Sequence, residues 1–316
     1  MENSALKASF GERYRHHVII RDQLITLAGG VVDHLLTVET LAELIDAVNL
    51  ARRLKLEYVV IGQGSGVLFS DVGFAGLVII NRTKRLSIDV TKSQVIADSG
   101  VLMQRLIVES ASRDLTGLEF LAGLRGTVGG AAVMNRQANG VSLSQIVKSV
   151  TVLMPDGQIV TQPAQFMDYS EMSSRLTRVL ANRLDLTETP ELPVILTVTL
   201  QLSRNKKEEI MRKIQHFSQQ NRAAWPLTLP SLGPVFKAYQ GQPAERYLSQ
   251  VETKRLVQGR AKLVPKQPNF ILTHTAGLGA SRTSDIMTLT LELQRAVAKK
   301  FDLWLEPNFI CYGQWE

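Results

Sequence analysis

Apolar residues along the chain follow two periods. Residues 39 to 55, ETLAELIDAVNLARRLK, bring Leu41, Leu44, Ile45, Val48 and Leu54 near one face of a 3.6-residue repeat, which predicts a helix. GVLMQRLIVESASRD, from 100 to 114, predicts another. SRNKKEEIMRKIQHFSQQNRAAWP, from 203, sets Ile210, Ile214 and Phe217 along one side of a charged helix. SDIMTLTLELQRAVAKKF, from 284 to 301, adds a further helix with Ser284 as its N-cap. Between these lie short β-branched runs. EYVVIGQGSGVLF turns a strand straight into glycines, and GLVIIN and PVILTVTLQL read as strands. KSVTVLMPDGQIVT joins two strand-like runs through Pro155, Asp156 and Gly157, which is hairpin chemistry. The texture changes near residue 204, where a domain boundary is expected, and the mixture is of the α+β class.

The 316 residues suffice for two or three domains, and 45% hydrophobic with 21% charged content is that of a folded protein. No apolar run reaches the roughly 18 residues of a membrane span, and the first twenty residues lack the layout of a secretory signal. A single cysteine, Cys311, excludes an internal disulfide, and the expected location is the cytoplasm. The net charge of +7 is uneven: residues 204–266 hold 13 Lys or Arg against 4 Asp or Glu. That excess suits an anionic small molecule such as a nucleotide sugar, or is a solvated helix face. Nucleic acid is not expected, because no helix-turn-helix, zinc-finger or RNA-binding motif accompanies the charges.

Two glycine clusters carry the candidate chemistry. The first, Gly62, Gln63, Gly64, Ser65 and Gly66, follows a strand. Glycines there admit positive φ and close approach of a ligand, and consecutive N–H groups can form an anion nest. An ordinary tight turn looks the same. The run matches neither the P-loop, since no Gly-Lys-Ser/Thr follows, nor the dinucleotide fingerprint. The second cluster, GLEFLAGLRGTVGGAAVMN, packs Gly117, Gly123, Gly126, Gly129 and Gly130 into 19 residues, with Thr127 and Asn135 as polar contacts. Two such loops suit a long diphosphate cofactor, FAD, better than a mononucleotide.

These two segments, in this order and spacing, closely resemble the UDP-N-acetylenolpyruvoylglucosamine reductase (UDP-N-acetylmuramate dehydrogenase) family. The likeness extends through GPVFK, PNFILTHTAGLGASRTSDIMTLTLELQRAVAKKF and LEPNFICYG. It implies a vanillyl-alcohol-oxidase/PCMH-type FAD-binding fold over 20–203, in subdomains of about 20–82 and 83–203. An α+β substrate-binding domain over 204–303 and a C-terminal segment, 304–316, returning to the FAD region complete it. It implies FAD as cofactor and NADPH as reductant, with reduction of an enolpyruvyl UDP-sugar in peptidoglycan precursor synthesis. Cofactor contacts then fall on Gly62, Gln63, Gly64, Ser65, Gly66, Gly123, Gly126, Thr127, Gly129, Gly130 and Asn135. Substrate contacts fall on Tyr169 and Lys237.

The family's catalytic trio is replaced. Its arginine position, in a Tyr-Arg-x-Ser motif, is Ser170 after Tyr169; Arg175, five residues on, is a candidate for a relocated arginine. Its proton-donating serine is Pro234 in GPVFKAY, and proline has neither hydroxyl nor N–H. Its glutamate is Asn308 in LEPNF, with Glu306 two residues away. Developing negative charge needs a fixed cation or donor, and protonation needs a positioned acid. Native turnover is therefore in doubt, and a non-catalytic FAD or nucleotide-sugar binder with a regulatory or assembly role is the alternative. Arg125 and Arg136 stand where the family has uncharged residues, and either pair with phosphate or point into solvent.

Other candidates are structural. His16 and His17 read as part of a basic N-terminal arm and no metal site is expected. His274 reads as a core or rim histidine, Cys311 as inert packing, and Asp71 and Glu119 as cap or turn residues.

Overall fold

The computed structural model describes residues 2–181, 191–226, 229–252, 256–264, 266–275 and 279–315. The chain divides into two compact units. The first comprises residues 1–16, 34–63 and 76–223; the second comprises 17–33, 64–75 and 224–316. The helix that begins at Lys207 buries Ile210 and Asn221, and the first unit runs through it to residue 223.

In the first unit, helix α1 (Glu2–Phe10) and helix α2 (Leu41–Arg53) cover a sheet. Strand Tyr58–Ile61 runs parallel to Phe74–Asn81, pairing Tyr58 with Leu77 through Ile61 with Ile80. Val31–Val38 and then Tyr14–Ile19 continue that sheet. Leu44, Ala47 and Val48 of α2 join Leu6, Leu36, Leu77 and Ile79 in the core, all fully buried. The start of α2 is local chemistry: the Thr40 side chain accepts from Glu43 N. The region expected as a basic arm is the strand Tyr14–Ile19, and His16 leans on the buried ring of His34, with 5.5 Å between centroids.

A second, antiparallel sheet has the order 159–163, 147–153, 194–201, 94–98, 86–89. Its hairpin is the expected one: Gln158 N donates to Asp156 Oδ1 at 2.9 Å, and Gly157 takes φ +87°. Helices α3 (Met103–Ala111), α4 (Val128–Val133), α5 (Arg175–Ala181) and α6 (Lys207–Ala224) complete the unit.

The second unit builds a small sheet, 231–232, 267–272, 261–264 and 257–258, with the short helix α7 (Glu245–Leu248) and the long helix α8 (Thr283–Phe301). Ile286, Leu289, Leu293 and Val297 of α8 join Val235, Phe236, Ile271 and Leu305 in its core, and so do Ala28 and Leu68. Strand Ile310–Tyr312 runs parallel to Val67–Phe69, so the C-terminal segment pairs with a strand from within residues 20–82. The cap of α8 differs from expectation. Ser284 lies inside the helix, and the carboxylate of Asp71 accepts Thr283 N at 2.8 Å, Ser284 N at 2.9 Å and Ser284 Oγ at 2.8 Å. A carboxylate at the positive end of a helix satisfies its orphan donors and its dipole together. Among the described residues no helix is long and apolar enough to cross a membrane.

Candidate functional site

The two glycine clusters meet inside the first unit. A Cβ on Gly62 would overlap the side chain of Thr127, so the missing side chain is what lets the loops close. Thr127 also caps α4, its Oγ1 accepting from Gly130 N. Beside this contact Gly126 N donates to Gln63 Oε1 at 2.7 Å, with Gly126 at φ +136°. Gly129 packs on the turn below: its N donates to Ser99 O at 2.8 Å, and a Cβ would come within 2.6 Å of Ser99 Cβ. Two glycines expected to face a ligand, Gly62 and Gly129, therefore serve contacts between parts of the chain. Gly130 behaves differently: it is exposed, and a Cβ there would meet Thr127 Oγ1 at 3.4 Å, an ordinary contact.

The segment leading into Gly126 is held by amide side chains. Gln104 donates to Leu121 O at 3.2 Å and Leu124 O at 2.7 Å, and accepts Gly123 N at 3.0 Å. Asn221 donates to Phe120 O and Ala122 O. Glu119 is buried and closes the preceding turn by accepting Gly117 N at 2.7 Å, the turn role expected of it. Sequence reasoning missed Gln104 and Asn221. For Asn221 a signal exists, since it continues the apolar stripe of Ile210, Ile214 and Phe217 as its one polar member.

What remains available in the first loop is backbone. Among the described residues the N–H groups of Gly62 and Gln63 in the first unit, and of Gly64, Ser65 and Gly66 in the second, donate to no acceptor. Gly64 takes φ +67°, the left-handed conformation of such nests. Within the first unit, the unclaimed N–H groups of Gly62 and Gln63 suit an anion such as a cofactor diphosphate. Asn135, also at positive φ, is fixed on both sides: Oδ1 accepts Ser144 N at 3.0 Å and Nδ2 donates to Ser170 O at 2.7 Å.

That last bond brings residues 135–136 beside 169–170. The Tyr169 hydroxyl is buried without a hydrogen-bond partner among the described residues, and burial pushes its pKa above the ordinary phenol value. A buried donor of this kind calls for a ligand or a water. Arg136 is half-buried with Nε shielded from water, and burial lowers its guanidinium to about 10, so the solvent reading fails for it; Arg125 is exposed. Arg175 is not placed at Ser170: its guanidinium lies 5.0 Å from the Phe166 ring centroid. The arginine that reaches Ser170 is Arg178, donating to Ser170 Oγ at 3.2 Å while paired with Asp168.

In the second unit, the segment 233–237 lies between two neighbours. Val235 N donates to Asn269 O at 2.8 Å, Lys237 N to Glu306 O at 2.9 Å, and Asn308 N to Val235 O at 2.7 Å. Pro234 and Asn308 are thereby adjacent, with Asn308 Nδ2 donating to Pro234 O at 3.2 Å. Asn308 is 6% exposed and its Oδ1 is a buried acceptor without a partner among the described residues. Glu306 turns instead to Lys237 Nζ at 3.1 Å. Neither Pro234 nor Asn308 carries a titratable proton, and Glu306 does not take the place of one. The His274 side chain lies outside the described residues.

Residues 32–162 match the family model described as FAD binding domain. Residues 225–312 match that of the UDP-N-acetylenolpyruvoylglucosamine reductase C-terminal domain. The chain is similar to the UDP-N-acetylenolpyruvoylglucosamine reductase of Clostridium kluyveri, 31% identical over 90% of this chain and 88% of that one. It is 29% identical to that of Carboxydothermus hydrogenoformans over 96% and 97% of the two chains. The crystal structure of the corresponding reductase from Thermus caldophilus superposes with a TM-score of 0.74 at 28% identity, covering 95% of this chain and all of the other.

Proposed function

Since this chain belongs to the UDP-N-acetylenolpyruvoylglucosamine reductase family, we propose that it is a FAD-binding flavoprotein that holds cofactor and UDP-sugar but does not protonate the enolpyruvyl group. FAD, when bound, supplies the hydride carrier between NADPH and the substrate. The chain's own part is to bind and orient. The unclaimed N–H groups of Gly62 and Gln63, with the exposed Gly130 of the same unit, hold the diphosphate. The buried Tyr169 hydroxyl donates to the sugar nucleotide, and Lys237 is a cation of the second unit offered to the same anionic class of ligand.

One observation carries the catalytic half: the two positions expected to move protons lie side by side as a proline and an amide, Asn308 Nδ2 donating to Pro234 O, and neither side chain titrates. A seryl hydroxyl at 170 cannot stabilise developing charge as a guanidinium does. Arg178 reaches that hydroxyl but is paired with Asp168. A regulatory or assembly role built on ligand binding follows from the same pair. A ligand set of FAD, NADPH and a nucleotide sugar supports a cytoplasmic location, and the basic excess of residues 204–266 supports an anionic ligand.

The test is anaerobic. The purified protein, loaded with FAD, is mixed with NADPH and then with the enolpyruvyl UDP-sugar while flavin absorbance is followed. Bleaching by NADPH, no substrate-dependent return of colour, and a spectral shift on adding UDP-sugar to the oxidised form are expected. Rapid return of colour overturns the catalytic half. A colourless protein that takes up no added FAD overturns the cofactor half.

A further inference from the structure

We propose that Asn221 of α6 is a positioning residue of the flavin site, fixing residues 120–124 and through them the docking of the two glycine loops. The inference rests on the FAD reading above. Helix α6 lies between the two matched regions, 32–162 and 225–312, so neither match gives it a part in binding.

Its buried side carries Ile210, 1% exposed, and Asn221, 2% exposed. An amide so far from water must find its partners in the protein. Asn221 Nδ2 donates to Phe120 O at 3.1 Å and Ala122 O at 2.8 Å, while Oδ1 accepts from Asn139 Nδ2 at 3.0 Å. Asn139 also donates to Phe120 O at 3.3 Å. One turn earlier, Ser218 closes on Gly123, where a Cβ would sit 3.3 Å from Ser218 Oγ. The segment held in this way runs directly into Gly126 and Thr127, which grip Gln63 and Gly62. Losing the Asn221 amide leaves the carbonyl of Ala122 without its donor, and any shift that re-solvates it moves Gly126 away from Gln63.

The experiment compares the full-length wild type with Asn221→Leu and with Ile210→Ala, a cavity variant in the same helix. FAD affinity is read by quenching of flavin fluorescence and stability by thermal melting. Asn221→Leu should weaken FAD about tenfold or more, the effect of one lost buried hydrogen bond. Ile210→Ala should melt earlier yet bind FAD within about twofold of wild type, because it lies about 16 Å along α6 from Asn221. Unchanged affinity in Asn221→Leu, or equal weakening in Ile210→Ala, overturns the proposal. If Asn221→Leu does not fold, Asn139→Ala is used, with a smaller loss of affinity expected and none overturning the proposal. If wild type takes no FAD, the functional reading fails and hydrogen exchange decides this one. Amides 120–126 must then exchange faster in Asn221→Leu and not in Ile210→Ala.

Discussion

The side-chain amide of Asn308 donates to the backbone carbonyl of Pro234 across 3.2 Å. The bond joins two positions 74 residues apart and uses one of the two N–H donors of the Asn308 amide, while Pro234 has no side-chain donor at all. Restoring a hydroxyl and a carboxylate there tests whether the surroundings still suit proton transfer. Pro234→Ser with Asn308→Glu should raise the rate at which the enolpyruvyl UDP-sugar returns flavin colour by about 10²–10⁴, the usual worth of a positioned general acid. Stopped-flow absorbance under anaerobic conditions reads it, and no gain would mean the substrate pose itself has been lost.

Gly130 and Gly62 should separate under the same substitution. Gly130→Ala places a methyl in ordinary contact with Thr127 Oγ1 within α4, so stability should stay level or rise by up to about 1 kcal/mol while FAD binding weakens. Gly62→Ala drives a methyl into Thr127 and should cost about 1–3 kcal/mol of stability. Urea unfolding of the apoprotein and FAD titration, run on both variants, give the two readouts.

Asp71 should make the stability of the second unit depend on pH. Burial raises its pKa, but the Ser284 and Thr283 donors outweigh that and leave it below the ordinary aspartate value of 3.8. A carboxylate lowered on folding contributes stability that is present above its unfolded pKa and lost as pH falls through the folded one. Asp71→Ala should therefore cost about 1 kcal/mol near pH 7, toward the lower part of the capping range because water reaches the group. The difference from wild type should shrink below pH 3.8. Urea midpoints across that range check it.

Cys311 should be silent to thiol reagents in the native protein. Burial pushes its pKa up to about 12, and its sulfur faces Met287 Sδ at 3.9 Å. At pH 8 only about one molecule in 10⁴ would carry the reactive thiolate. A disulfide reagent should label it at the unfolding rate, in step with loss of helical signal, and immediate labelling would contradict this burial.

What the sequence made legible was local. Asp156 with Gly157 turning the hairpin is a contact within four residues, so the pattern of the chain carries it. The glycine loops were legible as loops but not in their details. Gly62 and Gly129 read as bare for a ligand, and the structure fills those spaces with Thr127 and Ser99, which no spacing rule brings close. The cap of α8 was sought in Ser284 beside it and comes from Asp71, 213 residues earlier. Arg175 was the nearer candidate for Ser170 along the chain. Arg178 reaches it because the helical turn carries residue 178 back toward 170. Buried amides such as Asn221 resemble any polar helix residue until the stripe they interrupt is traced.

Ala28, Leu68 and the strand Val67–Phe69 belong to the same compact unit as everything after residue 223. That half of the protein is consequently no detachable cassette. A fragment cut at residue 224 would leave behind a parallel strand, two buried apolar side chains and the anion that starts its longest helix. Such a fragment should come out of the ribosome unable to close its own interior. Residues 224–316 should therefore fold only in the company of residues 17–33 and 64–75, which precede them by about 150 positions or more.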